Sequence, residues 1–143
     1  MTSERNEAVA HRWHLEMVQE GKLELAEQIL TADVTIHGNQ QDFQGTEAAT
    51  QLAAGLKAAF PDLQLAHHET IVSGNSVAIR WTSDGTHQGD YFGVPPSGKR
   101  IHVEGIDVFH VQDGKIVEMW IEYDNLALLQ QMGAIPEAQP AGA

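Results

Sequence analysis

The chain changes character at Leu63. Before that point apolar residues recur at helical spacing; from there to Tyr123, β-branched and aromatic runs alternate with short turn signals. Helices first and strands second is not the strand-helix alternation of a parallel sheet. It predicts an α+β fold in which helices lay their apolar stripes on one face of an antiparallel sheet.

In the helical part, Val9, Trp13 and Met17 recur every fourth residue while Glu4, Arg5, Glu7, Arg12 and Glu16 face water, which predicts a helix over 4–19 ended by Gly21. LELAEQIL reads as a second, short helix and TADVTIHG as a short strand. A third helix runs from Thr46 to Phe60, between Gly45 and the helix-stopping Pro61. Five strands follow: LQLAHHETIV, SVAIRWTS, HQGDYFG, RIHVEGIDVFHV and KIVEMWIEY. The turn segments SGN, SDGT, GVPPSGK and QDGK join them into hairpins. DNLALLQQMG closes the chain as a helix with Asp124 as N-cap and Gly133 past its end. Residues 1–136 read as one domain and 137–143 as a flexible tail, since 143 residues suffice for a single core without disulfides or a structural metal.

Charge narrows the partners. Eight Lys and Arg against twenty Asp and Glu give a net charge of −12, which repels nucleic acid and anionic membrane. The chain has no cysteine, so thiol nucleophiles and zinc-thiolate sites are excluded. No window approaches the length of a membrane span and MTSERNEAVA lacks the pattern of a signal peptide, so a soluble cytoplasmic protein is the expectation.

Within VEGIDVFHV, Asp107 lies among Ile106, Val108 and Phe109 in a strand, where a carboxylate is unusual. Strand alternation places it with Val103, Gly105, Phe109 and Val111 on one face, opposite His102, Glu104 and His110. If that face looks into a cavity, desolvation favours the neutral acid and tunes such a group for proton transfer. The plain alternative is an ion pair with Arg80 on a neighbouring strand. His37, at the end of a short strand and before Gly38, is a second candidate, with a turn histidine bonded to backbone as its plain alternative.

The other histidines do not form a metal signature. His11 and His14 lie one turn apart on a solvent-rich helix without a third ligand, and neighbouring His67 and His68 point to opposite faces. Neither a nucleophile elbow nor a phosphate loop is present, which leaves cofactor-free chemistry or plain binding. Trp13, Phe60, Trp81, Tyr91, Phe109, Met119 and Trp120 are either core or the wall of an apolar pocket.

Taken together, KAAFPDLQL, GTHQGDYFGVPPSGKRI, DVFHVQDGKIVEMW and YDNLALLQQMG resemble the SnoaL-like polyketide cyclases, often labelled ester cyclases, from about Val9 to Pro136. The resemblance implies a nuclear transport factor two-like fold: an α+β cone, described as a barrel, in which a bent sheet wraps helices around an apolar pocket. It also implies a homodimer formed through the outer face of the sheet. Cyclases of this kind close a ring by an intramolecular aldol reaction without metal or cofactor, using a carboxylate helped by a histidine. Their carboxylate directly follows the position of Trp120 and so falls on Ile121, while their histidine corresponds to Asp107. Glu122 points away from the Ile121 face, and Asp124 is an N-cap.

The expected function is therefore acid/base chemistry of cyclase or isomerase type on a small, apolar, oxygenated metabolite such as a polyketide-like ester. Asp107 is the acid/base, His37 the orienting group, and Ile121 joins the pocket wall. Two alternatives stand beside it: a non-catalytic module for a hydrophobic ligand, and an epoxide hydrolase-like site built on Arg80 and Asp107.

Overall fold

The structure is a computed structural model that describes residues 2–38 and 41–136. The proposed tail at 137–143 lies outside the described residues. Helix α1 (Thr2–Arg12) widens into π-helical turns over Trp13–Gln19. A 3-10 turn (Leu23–Leu25) and the four-residue α2 (Ala26–Ile29) lead into β1 (Leu30–Gly38) and β2 (Gln41–Gln44). After α3 (Thr46–Ala59) come β3 (Gln64–Ser73), β4 (Ser76–Thr86), β5 (Arg100–Gln112) and β6 (Lys115–Tyr123), then α4 (Asn125–Gln131).

The strands form one curved six-stranded sheet in the order β2-β1-β6-β5-β4-β3. The sheet is open rather than closed into a barrel. Every neighbouring pair is antiparallel except β1 with β6, which returns the chain to the far side of the meander. On the covered side α1 packs against β3, β4 and β6, α3 against β1, and α4 against β5. Ala49 and Ala53, both fully buried on α3, let that helix approach closely, while Leu52 and Leu56 remain partly open on its flank. Asp124 caps α4 as its sequence position suggests, accepting a hydrogen bond from the Ala127 amide at 3.0 Å.

SDGT, which reads as a turn, instead continues β4 to Thr86, and three further elements differ from the sequence pattern. HQGDYFG is a loop that retains only a single bridge between Tyr91 and Val94. The amides of Gln88 and Gly89 donate to Ala59 O at the end of α3, so the helix terminus takes hydrogen bonds that a strand neighbour would otherwise supply. β2 went unpredicted because QDFQ is polar and its pairing comes from β1 rather than from its own residues.

The third difference matters most for the site. In the π-helical stretch each turn takes in one more residue, so burial spreads over two adjacent rows, Trp13 with Met17 and His14 with Val18. An α-helical pattern reads His14 as a surface residue. In the structure it is 3% exposed.

Gly105 positions the other wall. It lies opposite Trp81 across the β4–β5 ladder, and the indole folds over it. A Cβ there would stand 2.4 Å from Trp81 Cζ2 and 2.7 Å from the Glu122 carbonyl oxygen. Gly105→Ala is therefore expected to lower stability by about 1–3 kcal/mol, as overpacking does. Urea unfolding checks this, and a midpoint equal to that of the unmodified protein would contradict the packing described.

Candidate active site

Asp107 points inward. Its ladder neighbours are Ile79 on β4 and Ile121 on β6, and it is 2% exposed. Arg80 is the ladder partner of exposed Ile106, lies on the outer face, and pairs with Glu69 at 3.4 Å. The Arg80–Asp107 ion pair is thus ruled out by strand parity, and the epoxide hydrolase-like arrangement falls with it.

The partner of Asp107 is His14. Oδ2 and His14 Nε2 share a hydrogen bond of 2.7 Å between two buried side chains. His14 Nδ1 in turn shares a bond of 2.9 Å with Nε2 of His67 on β3, whose ring lies 4.5 Å from that of His11. Phe109 meets the His14 imidazole edge-on, with ring centroids 5.5 Å apart. The imidazole is thus held at both nitrogens and on a ring edge, so the carboxylate has a fixed orientation. Burial, helped by the neighbouring His14, His11 and His68, pushes the His67 pKa down to about 4. His67 is therefore a neutral imidazole near pH 7.

Asp107 Oδ1 is buried with no hydrogen-bond partner. A buried acceptor left unpaired costs about 1–3 kcal/mol, so this oxygen calls for a role. It belongs to a carboxylate that lines a cavity of about 80 Å³ under the helices. Trp13, Phe60, Trp81, Tyr91 and Ile121 line the same cavity. Phe109 and Met119 do not: both are fully buried in the core, their ring and thioether committed to packing.

A second cleft of about 360 Å³ adjoins the first, and Leu56, Tyr91, Ile121 and Tyr123 line both. The two tyrosine hydroxyls are hydrogen-bonded to each other at 2.5 Å, and Tyr91 also donates to Asn125 Oδ1 at 3.1 Å. This polar clasp stands between inner cavity and outer cleft.

His37 is not part of the inner site. Ile36 takes the inward place on β1, so His37 faces outward, between Glu118 Oε2 and Asp42 Oδ1 at 2.6 Å each and stacked on Trp120. The Glu118 hydrogen bond, then that of Asp42, raises its pKa. The sheet separates it from Asp107, and the orienting histidine beside Asp107 is His14. Sequence periodicity missed His14 because the helix is π-wound there, and missed His67 because a strand histidine carries no mark of its partner. Among the described residues, no group of three or more His, Asp or Glu side chains is arranged to hold a metal ion.

N-terminal helices packed on an open, curved six-stranded sheet match the nuclear transport factor two-like class. The profile of the SnoaL-like polyketide cyclases matches residues 8–132, and the chain belongs to that family. It is similar to a protein from Jannaschia sp. CCS1 assigned to the SnoaL-like polyketide cyclases, with 26% identity over 94% of this chain and 95% of the other and a TM-score of 0.85. AclR from Streptomyces galilaeus, assigned as a hydroxylase, shares 26% identity over 96% and 86% of the two chains, with a TM-score of 0.82. IdmH from Streptomyces antibioticus, assigned as a polyketide cyclase, shares 27% identity over 90% and 98%, with a TM-score of 0.75. No curated protein matches the sequence.

The His67 environment sets a pH dependence. Because its folded pKa of about 4 lies below the unfolded value of 6.5, the unfolded chain binds this proton more readily. Its effect on stability is absent above pH 6.5 and grows unfavourable as pH falls from 6.5 toward 4. His11, also lowered by burial, acts in the same sense. His37, whose pKa is raised, contributes stability that is fully present below its unfolded value and is lost only at higher pH, so it stays constant over this window and does not mask the effect. An NMR titration of the His67 ring is expected to show a midpoint near 4, whereas a midpoint near 6.5 would contradict the buried chain described.

Proposed function

We propose that this protein is an acid/base enzyme of cyclase or isomerase type, acting on an apolar, oxygenated small molecule of the polyketide-ester kind. The observation that carries this reading is the unpartnered, buried Asp107 Oδ1 in an apolar cavity, with Oδ2 held by His14. Oδ1 is the base. It removes a proton from substrate carbon, and the same carboxyl later returns it; His14 holds the carboxylate in place through its hydrogen bond to Oδ2. His67 keeps the His14 ring aligned from the far side. The reaction draws only on groups of this chain.

Family resemblance supports the position as well as the chemistry. The place where related cyclases carry their carboxylate is Ile121, and Ile121 is the direct ladder partner of Asp107. The acidic group has moved one strand sideways within the same hollow. Histidine assistance comes from the helix instead of the sheet. The inner cavity is small, so the reacting end of a substrate sits at Asp107 while its apolar remainder extends past Tyr91 and Tyr123 into the outer cleft.

A panel of β-keto esters and aromatic polyketide esters, followed by NMR for α-hydrogen exchange in D2O and for ring closure, tests the proposal. Asp107→Asn is expected to lower the rate at least about 100-fold while leaving the fold intact, as loss of a positioned base does. His37→Ala is expected to leave it unchanged. An Asp107→Asn protein with full activity would remove the acid/base role and leave a ligand-binding module.

A further inference from the structure

Among the described residues only three buried side-chain polar atoms lack a hydrogen-bond partner: Asp107 Oδ1, Trp81 Nε1 and His87 Nε2. His87 lies beyond the cavity wall, with its ring behind Phe60. The other two belong to residues that line the same cavity. One is an acceptor and the other, an indole N–H, can only donate.

Their placement follows from the sheet. Trp81 is the ladder partner of Gly105, and Asp107 lies two residues further along the same strand and face. The two side chains are therefore diagonal neighbours, within reach of one small functional group. Gly105 supplies the room, since the indole crosses the strand where a side chain would otherwise stand. The remaining hydroxyl donors along this wall that face the outer cleft, Tyr91 and Tyr123, are bonded to each other. His14 has both ring nitrogens engaged.

We infer that Trp81 Nε1–H is the electrophilic donor of this site, and that the group bound between Trp81 and Asp107 is a carbonyl bearing a hydrogen on its adjacent carbon. The inference rests on the proton-transfer reading of Asp107 and adds a second catalytic residue. The carbonyl oxygen accepts from the indole while the adjacent C–H faces Oδ1. Proton removal moves the C–H electron pair into a new C=C bond and the carbonyl π pair onto oxygen. The proton rests on Asp107 and the indole holds the enolate oxygen. Return of the proton to carbon completes an exchange or isomerisation; in a ring closure the enolate carbon attacks a second carbonyl of the same molecule, whose oxygen takes that proton. Charge developing on oxygen in a dry cavity strengthens the indole hydrogen bond as the reaction proceeds, which is where a donor accelerates the step.

The test uses the full chain and ethyl 2-oxocyclohexanecarboxylate, a cyclic β-keto ester, as probe. In ¹⁵N–¹H spectra the Trp81 Nε1–H resonance is expected to move downfield as probe is added, with that of Trp120, on the outer face, nearly still. Trp81→Phe, which keeps an apolar ring and removes the N–H, is expected to lower kcat for α-hydrogen exchange about 100-fold with a much smaller change in KM. If Asp107→Asn abolishes exchange while Trp81→Phe leaves kcat unchanged, proton transfer stands and the role of Trp81 falls. If Asp107→Asn leaves exchange intact, the underlying reading falls instead. Should Trp81→Phe not fold, the unmodified protein decides: a Trp81 resonance that stays put, or absence of binding up to the solubility of the probe, overturns the inference.

Discussion

A hydrogen bond between a helix and a sheet, His14 Nε2 to Asp107 Oδ2, organises the interior of this protein. Without it a carboxylate flanked by Ile79 and Ile121 would be buried with neither oxygen satisfied, at a cost of several kcal/mol. With it, one oxygen is satisfied and the other is left unpaired in a residue that lines the cavity. The bond also ties the π-wound end of the first helix to the middle of the sheet. His67 on β3 and Phe109 on β5 then hold the imidazole that makes it.

The winding of the helix and the alternation of the strands together decide what reaches the cavity. Two-residue periodicity in β5 sends Asp107 inward and Ile106 outward, and the same rule in β1 sends Ile36 inward and His37 outward. Two histidine-carboxylate clusters result, separated by the thickness of the sheet. The outer one, His37 with Asp42 and Glu118, is polar and partly solvated; the inner one is enclosed by aromatic and aliphatic side chains. The two environments differ in what they favour. In the outer cluster carboxylates stabilise the imidazolium, whereas at His67 burial and neighbouring imidazoles stabilise the neutral ring.

Much of this was legible in the sequence, and the reasons are particular. The break at Leu63, the turns SGN and QDGK and the Asp124 cap gave the element order because local propensity and tertiary structure agree there, whereas SDGT is the end of β4. Parity grouped Asp107 with Val103, Phe109 and Val111, and the structure shows that this face looks into the cavity. HQGDYFG failed as a strand because its amides bond to the end of α3, a long-range choice that its own residues do not announce. His14 was misread because α-helical periodicity does not apply to a π-wound stretch. His37 was misassigned because its proximity to a glycine said nothing of which face of β1 it occupies. The two unpaired polar atoms in residues lining the cavity, Asp107 Oδ1 and Trp81 Nε1, depend on where every other buried partner lies, which no local sequence pattern carries.

The central claim, that chemistry occurs at the open oxygen of Asp107 on the inner side of the tyrosine clasp, is tested most directly by a crystal structure with an unreactive carbonyl or enol analogue bound. The account predicts the polar end of the analogue in the inner cavity, within hydrogen-bond distance of Asp107 Oδ1, with its apolar remainder in the outer cleft. An analogue lying wholly outside Tyr91 and Tyr123, with that oxygen untouched, would contradict it.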